Sequence, residues 1–265
     1  MNKKDIFDVT KKTVIITGAA GLLGPEYAEG LSQYGANIVL ADIDYSKCKK
    51  IAIELSKKYR VDPLPIKVNI SDKKSIKNLV NKTLKKYSKI DILINNAVYQ
   101  GNDKIRNTKF VDLPLSIWNK AVAVNLTGMF LCCQEIGRIM ENQKSGVIIN
   151  ISSTYGVVAP DQRIYGKSGQ NAAIFYSATK SAVLNLTRYL ASYWHGKGIR
   201  VNTLTPGGVE KDQDLDFIKK YSAKTMLGRM ARKDEYVGAI IFLASDASSY
   251  MTGSNLIVDG GWTAW

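Results

Sequence analysis

Short apolar runs alternate along this chain with longer stretches whose apolar residues recur every three or four positions. The short runs are rich in Val, Ile and Leu and have the length of buried strands, whereas the longer stretches have the period of helices. The pattern predicts strands at residues 14–17, 37–40, 64–68, 90–94, 147–151, 199–204 and 256–258. It predicts helices at residues 25–34, 71–87, 116–140, 175–194 and 233–243, and one more that Ser46 caps and that carries Ile51, Ile53 and Leu55.

This alternation predicts a single α/β domain over residues 1–265. Strands that are apolar throughout are buried on both faces, as in a parallel sheet with helices on each side. Repeated strand–helix–strand units with right-handed crossovers build a doubly wound Rossmann sheet, here of about seven strands. Ligands of such a sheet bind beyond the carboxyl ends of the strands, so the chemistry is expected in those loops.

Composition narrows the kinds of partner. The formal charge is +14, but the 29 lysines are spread along helix faces, only eight residues are arginine, and no nucleic-acid-binding motif is present. We therefore expect no nucleic-acid partner and a small-molecule substrate, with a positive field that would attract an anionic one. No apolar run has the length of a membrane span, and residues 1–12 lack the apolar core of a secretory signal. We expect a cytoplasmic protein without membrane contact.

Cysteine and histidine usage predicts no metal site. Cys48, Cys132 and Cys133 are the cysteines, the last two adjacent within an apolar run, and no CxxC spacing occurs. His195 is the single histidine and follows Trp194 near a helix end, so a capping or surface role is expected.

A glycine-rich turn at residues 17–24 follows the first predicted strand and opens the first predicted helix. Gly18 and Gly24 allow a pyrophosphate to approach the backbone, and the helix N-terminus favours its negative charge. Asp42 ends the second strand, 24 positions after Gly18, close to the separation of about 20 for the acid that binds ribose hydroxyls. Such a carboxylate repels a 2′-phosphate, so NAD is expected rather than NADP. Lys47 is the nearby residue that weakens this interpretation.

Tyr176 and Lys180 are four positions apart and share one face of the predicted helix at residues 175–194. An ammonium group near a phenol favours the phenolate and lowers the pKa of the tyrosine from about 10. The pairs Tyr45/Lys49 and Tyr193/Lys197 have the same spacing. Only Tyr176 begins a helix just after a strand that ends in two serines, so we assign it as the general acid/base.

With these motifs the chain resembles the short-chain dehydrogenases/reductases from about residue 11 to residue 261. That family has a TGxxxGxG turn, an NNAG stretch after the fourth strand, a serine after the fifth strand and a YxxxK pair. Leu22 and Val98 stand where the family pattern has glycine. Together with Asp42, the cofactor-binding residues that the resemblance implies are Gly18, Leu23, Gly24, Ile43, Asn69, Ile70, Asn95, Ala97, Tyr176, Lys180, Pro206, Gly207 and Val209.

The same resemblance assigns further catalytic roles. Ser153 begins a Ser-x-x-Gly run and is implied to hold the substrate oxygen beside Tyr176, with Ser152 as the alternative. Asn125 matches a family asparagine implied to hold a water that relays protons through Lys180. The catalytic set expected from the family is therefore Asn125, Ser153, Tyr176 and Lys180, with hydride transfer between an alcohol and a carbonyl as the reaction.

An unusually long segment joins the two halves of this set, since Tyr176 follows Ser153 by 23 positions. The segment must loop over the site, and such loops often carry specificity. Arg163 and Lys167 are candidates for binding a phosphate or carboxylate, and Tyr165 for packing on a sugar-like ring. Residues 210–230 are a second candidate lid. Long-loop members of the family resemble enzymes of sugar or surface-glycan metabolism.

Other interpretations remain open. An epimerase or isomerase that recycles NAD would use the same residues without net production of NADH. A non-catalytic nucleotide-binding regulator would not need Asn125, Ser153, Tyr176 and Lys180 together. Family members are commonly oligomers, so we expect a homotetramer or homodimer packed through the long helices.

Overall fold

The computed structural model describes residues 5–265, apart from the side chain of Asp103. Within that range the strands form one parallel sheet in the order β3-β2-β1-β4-β5-β6-β7, which confirms the predicted doubly wound fold. The strands are β1 Thr13–Thr17, β2 Asn37–Asp42, β3 Leu64–Lys67, β4 Ile92–Asn95, β5 Gly146–Ile151, β6 Ile199–Pro206 and β7 Asn255–Val258. Chain order reverses between β1 and β4, so the crevice that binds ligands in this fold lies beyond their carboxyl ends.

Helices connect the strands and cover both faces of the sheet. The α-helices are α1 Gly24–Gln33, α2 Tyr45–Tyr59, α3 Lys73–Tyr87, α4 Asp103–Arg106, α5 Leu115–Val122, α6 Met129–Gln143, α7 Thr154–Val157, α8 Ile174–Tyr193, α9 Leu215–Ser222 and α10 Val237–Ala244. Short 3₁₀ segments lie at Phe110–Asp112, Gln162–Tyr165, Lys233–Tyr236 and Asp246–Ser248. No helix among residues 5–265 is long and apolar enough to cross a membrane.

Two buried layers hold the sheet between its helices. Successive side chains of a strand point to opposite faces, so Ile16 packs in the layer beneath α1, α2 and α10, whereas Ile15 packs in the layer beneath α3, α6 and α8. Both are fully buried. The continuous apolar strands of the sequence therefore correspond to burial on both faces, as predicted.

Local chemistry places several helix ends away from their predicted positions. Ser46 is not the cap of α2; Asp44 is, because its carboxylate accepts a hydrogen bond from the backbone N–H of Lys47 at 2.9 Å. The helix predicted to begin at residue 71 begins at Lys73, with Asp72 as its N-cap. The long helix predicted at residues 116–140 is interrupted by a π-helical turn at Ala123–Gly128. Such turns are often found at functional sites, and this one carries Asn125.

A third, smaller apolar cluster joins the two segments that the sequence marks as lids. Ile164, Tyr221, Met230 and Trp262 form its buried centre, which brings together the long loop, α9 and the C-terminal segment. Tyr221 and Trp262 stack with their ring centroids 4.2 Å apart. Residues 210–230, the second candidate lid, thus contain the packed helix α9.

Candidate active site

The glycine turn is shaped by close backbone contacts that exclude a side chain. Gly18 has φ +66°, and a Cβ built on it would lie 2.6 Å from the Cα of Ala97. A Cβ on Gly24 would lie 2.5 Å from the carbonyl oxygen of Gly18. Asn96 donates from Nδ2 to that same carbonyl at 3.0 Å. The turn after β1 is therefore held directly against the segment after β4, at the crevice of the sheet.

The two departures from the family glycine pattern do not strain the backbone. Leu22 and Val98 are absent from the described non-glycine residues that have positive φ, so neither position requires glycine. The side chain of Leu22 is 45% exposed and points away from the core. Leu23 is the N-cap of α1 and offers no capping side chain, which leaves the positive end of this helix for an anion.

The carboxylate of Asp42 faces the glycine turn. Its Oδ2 accepts a hydrogen bond from the backbone N–H of Ala20 at 3.0 Å, and its Oδ1 accepts one from the backbone N–H of Asp44 at 2.9 Å. Ile43, next in the chain, is 67% exposed. The open turn and the uncapped N-terminus of α1 suit the pyrophosphate of a nicotinamide dinucleotide, and the fixed carboxylate of Asp42 suits its ribose. The residues present therefore fit this cofactor.

The structure separates the two asparagines that follow β4. Asn95 is buried, and its Nδ2 donates to Asn150 Oδ1 at 2.9 Å and to Cys133 Sγ at 3.2 Å. Its side chain therefore lies inside the protein and not at the crevice. Asn96, absent from the predicted cofactor set, contacts the glycine turn instead. The parallel sheet dictates this outcome, because successive side chains at a strand end point to opposite faces.

The remaining predicted cofactor residues lie around the same edge. Asn69 follows β3 and accepts hydrogen bonds at Oδ1 from the N–H and the hydroxyl of Ser71, while Ile70 is buried. Pro206 ends β6, and a Cβ on Gly207 would lie 2.8 Å from the Cα of Asp259. Val209 is 9% exposed and forms a bridge to Ala231.

Tyr176 and Ser153 meet at the carboxyl end of β5. A hydrogen bond from Ser153 lowers the pKa of Tyr176, although burial is the larger effect and leaves the net pKa raised above its ordinary value. The hydroxyl of Ser153 also accepts from the backbone N–H of Tyr155 at 3.2 Å. Ser152 instead donates to the carbonyl oxygen of Lys180 at 2.8 Å. Of the two serines, Ser153 is the one that reaches Tyr176.

Lys180 lies beneath Tyr176 on the same face of α8. It is 3% exposed, its Nζ donates to the carbonyl oxygen of Ile151 at 2.6 Å, and it lies 5.8 Å from the centroid of the Tyr176 ring. Burial lowers the pKa of Lys180 to about 8. The spacing predicts that Lys180 lowers the pKa of Tyr176. In the structure the pKa of Tyr176 is raised instead, because burial of the tyrosine itself is the largest effect.

The side chain of Asn125 is fully engaged with its neighbours. Oδ1 accepts from the backbone N–H of Tyr99 at 2.6 Å, and Nδ2 donates to the carbonyl oxygen of Tyr99 at 3.1 Å and to Thr179 Oγ1 at 3.2 Å. Both N–H groups of the amide are therefore used within the protein. This geometry makes Asn125 a clamp between the segment after β4 and α8.

The long loop places its three predicted substrate residues differently. Arg163 forms a two-point ion pair with Asp161 at 2.8 Å, and its side chain is 85% exposed. Lys167 is also exposed. Tyr165 is half-buried, packs against Phe217 with ring centroids 5.3 Å apart and receives a hydrogen bond from Tyr155. Tyr165 is thus the one of the three that the structure brings towards Tyr176.

Two groups near Tyr176 are not predicted from the sequence. Tyr155 follows Ser153 by two positions and hydrogen-bonds Tyr165, and Arg106 lies close enough for its charge to lower the pKa of both Tyr165 and Tyr176. Tyr155 could have been predicted to lie near Tyr176, because it stands two positions after Ser153. No motif in the sequence around Arg106 predicts that it lies near Tyr176; the two come together only in the folded chain.

The chain is similar to known proteins over nearly its whole length. A family model described as enoyl-(acyl carrier protein) reductase matches residues 18–263. An NAD-dependent glycerol dehydrogenase of Listeria innocua is 34% identical, covering 97% of this chain and 96% of the relative. An NADP-dependent mannitol dehydrogenase of Alternaria alternata is 31% identical, covering 98% and 95%. The solved structure of a short-chain dehydrogenase from Leptospira borgpetersenii with bound NAD⁺ has a TM-score of 0.85 and 35% identity, covering 99% of this chain and 97% of that one.

These matches identify the class of protein that the sheet and its crevice define. The chain belongs to the short-chain dehydrogenase/reductase family. It is an oxidoreductase that acts on alcohols and carbonyls with a nicotinamide cofactor, as its relatives do. Those relatives include both NAD-dependent and NADP-dependent enzymes.

Proposed function

We propose that this chain is an NAD-dependent dehydrogenase of a polyol or sugar derivative, with Tyr176 as the general acid/base. The observation that carries the proposal is the hydrogen bond between Ser153 and Tyr176 above the buried ammonium of Lys180. In the oxidising direction the phenolate of Tyr176 takes the proton of the substrate hydroxyl, and Ser153 donates to the same substrate oxygen. In the reducing direction Tyr176 returns the proton.

The cofactor supplies the redox half of this chemistry. When bound, the nicotinamide ring accepts or donates the hydride, and its positive charge in the oxidised form favours the phenolate of Tyr176. Gly18, Gly24 and the N-terminus of α1 would hold the pyrophosphate. Lys180 keeps a positive charge beneath Tyr176 at neutral pH, because its pKa of about 8 lies above 7.

The substrate class is supported by the polar lining of the cleft. Tyr155 and Tyr165 lie near Tyr176. The side chain of Asn171, in the long loop, donates to the carbonyl oxygens of Arg106 and Thr108 at 2.9 Å. These bonds tie the long loop to the segment after β4, and the phenols of Tyr155 and Tyr165 near Tyr176 support a hydroxylated substrate of the polyol type.

The preference for NAD is supported by Asp42, which the Ala20 N–H holds towards the glycine turn. A fixed carboxylate accepts hydrogen bonds from ribose hydroxyls and repels a 2′-phosphate. A fluorescence titration of the purified protein with NADH and with NADPH tests this. We expect NADH to bind at least about tenfold more tightly, and Asp42→Ser with Ile43→Arg to reverse the order. Equal or tighter binding of NADPH by the unmodified chain would refute the assignment.

The polyol assignment is tested by NAD⁺-dependent oxidation of glycerol, threitol and mannitol. We expect at least one to give stoichiometric NADH, and Tyr176→Phe to abolish the signal. A product formed without net NADH would point to an epimerase that recycles its cofactor. Failure of every polyol and of their acid and phosphate derivatives, with NADH still bound, would refute the substrate class and leave the cofactor assignment intact.

We also propose that the chain forms a homodimer or homotetramer. The segment before and at the start of α5 exposes Phe110, Val111 and Leu115, each more than 70%. On α8, Tyr189 and Tyr193 stack 6.2 Å apart and are each more than 60% exposed. Exposed apolar groups of this size typically mark an interface. Light scattering during size-exclusion chromatography tests the proposal, and a monomer at micromolar concentration would refute it.

A further inference from the structure

Arg106 ends helix α4, in the segment that leaves the carboxyl end of β4 towards the active-site edge of the sheet. It is half-buried. Its guanidinium donates from Nη2 to Gln100 Oε1 at 3.2 Å. Among the side chains that the structure describes, no carboxylate forms an ion pair with it.

The backbone of Arg106 is fixed by the long loop. Asn171 donates to its carbonyl oxygen twice, from the backbone N at 3.0 Å and from Nδ2 at 2.9 Å. Asn171 lies three positions before α8 begins at Ile174 and five before Tyr176, so these bonds hold Arg106 next to the start of that helix. In keeping with this position, the charge of the guanidinium lowers the pKa of Tyr165 and of Tyr176. The loop that the sequence marks as a specificity element thus holds the backbone of Arg106 beside the start of the helix that carries Tyr176.

Other arginines around the cleft have anionic partners. Arg163 pairs with Asp161 at 2.8 Å, and Arg229 pairs with Glu235 at 2.7 Å. Lys224 also pairs with Asp161. Arg106 has five N–H donors to satisfy, and the described contacts use one of them on a neutral amide. A half-buried guanidinium gains most from a charged acceptor, and its planar fork matches a carboxylate or a phosphate in two-point geometry.

We propose that Arg106 binds an anionic group of the substrate, so that among polyols and their derivatives the enzyme prefers those that carry a carboxylate or a phosphate. This rests on the proposed function and names its substrate class more closely. Carboxylate and phosphate share the chemistry that Arg106 recognises, and the experiment separates them. Arg163 and Lys167, for which the sequence suggests this role, lie on the exposed side of the loop.

The test compares matched substrates with NAD⁺ at pH 7. Each alditol is paired with its sugar acid (xylitol with xylonate, glucitol with gluconate), and glycerol is paired with glycerol 3-phosphate. We expect the unmodified enzyme to favour one anionic series in kcat/KM. Arg106→Met should reduce that anion-to-neutral ratio by about 10- to 100-fold, the range for a charged hydrogen bond, mainly through KM. Arg106→Lys should fall between them, because it keeps the charge and loses the fork.

Arg163→Met is the matched control, since it removes an arginine from the neighbouring loop and should leave the ratio unchanged. Circular dichroism and NADH affinity establish that each variant is folded with an intact cofactor site; if Arg106→Met does not fold, Arg106→Lys carries the comparison. Neutral polyols used as well as the acids and phosphates, or equal losses for both classes in the Arg106 variants, would overturn the inference while the polyol function stands. Turnover of no polyol, acid or phosphate would refute the proposed function and the inference with it.

Discussion

Lys180 donates from Nζ to the carbonyl oxygen of Ile151 at 2.6 Å, at the point where β5 ends beneath α8. A lysine so deeply buried retains its charge only at a cost, which is why its pKa falls to about 8. The carbonyl is a neutral acceptor and offsets that cost in part. The position of the ammonium under Tyr176 is therefore maintained by the rest of the fold.

Replacing Lys180 with Met should stabilise the protein at pH 7. Below pH 8 Lys180 is charged in both states, and the full cost of burying that charge lowers the free energy of unfolding. Between pH 8 and 10.5 the folded chain has lost the proton and the unfolded chain still keeps it, so the free energy of unfolding rises with pH. The shift from 10.5 to about 8 corresponds to a cost on the order of 3 kcal/mol, less the lost hydrogen bond. Urea unfolding at pH 7, 8, 9 and 10 should show the advantage of Lys180→Met shrinking as pH rises.

Lys85→Met is the matched control for this experiment, because Lys85 lies on an exposed face of α3 and its removal changes the net charge equally. Its stability relative to the unmodified chain should vary little over the same pH range. A Lys180→Met advantage that is absent at pH 7, or that grows towards pH 10, would contradict the burial of a charged lysine.

Tyr176→Phe should remove turnover and leave cofactor binding in place. General acid/base catalysis typically contributes about 100- to 10,000-fold, so we expect kcat to fall within that range and the NADH dissociation constant to stay within about threefold. Tyr193→Phe is the control, since Tyr193 has the same spacing to a lysine but is 62% exposed at the far end of α8. Similar losses of kcat in both variants would contradict the assignment of Tyr176.

The sheet could be predicted from the sequence because its strands are apolar throughout and each is followed by a helical period. The π-helical turn at Ala123–Gly128 could not, since the apolar positions over residues 116–140 have the period of one continuous helix. The predicted cap of α2 is wrong because Ser46 and Asp44 are both good N-cap residues, and the pattern of apolar positions does not distinguish between them.

The candidate site divides in the same way. Gly18, Asp42, Tyr176 and Lys180 could be proposed from the sequence because each stands at a fixed distance from a strand or helix end. The motif after β4 predicts Asn95 as a cofactor residue because it does not say which of two adjacent asparagines faces inward. The position of Arg106 near Tyr176 could not be predicted from the sequence, since it arises only when α4 and the long loop pack together.

Gly18→Ala should lower both the stability of the protein and its affinity for NADH, whereas an alanine at a left-handed position elsewhere should lower the stability alone. Gly169→Ala is the matched comparison. Gly169 has φ +76°, but a Cβ built on it has nothing within 4 Å. A Cβ built on Gly18 would meet the Ala97 backbone at 2.6 Å. A left-handed alanine costs about 1–2 kcal/mol at either position. Only Gly18→Ala should also raise the NADH dissociation constant, by at least about tenfold. Unfolding and fluorescence titrations measure the two effects, and equal NADH affinity in both variants would contradict the assignment of the turn.

Ser153→Ala and Ser152→Ala should affect different properties. The hydrogen bond from Ser153 lowers the pKa of Tyr176, so its loss raises that pKa and moves the pH at which alcohol oxidation is half-maximal upward. We also expect kcat to fall by about 100-fold, because the substrate oxygen loses a donor. Ser152→Ala removes only the bond to the Lys180 carbonyl at 2.8 Å, which should cost about 1 kcal/mol of stability and leave the pH profile in place. If Ser152→Ala moved the profile and Ser153→Ala did not, the two serines would have to exchange roles.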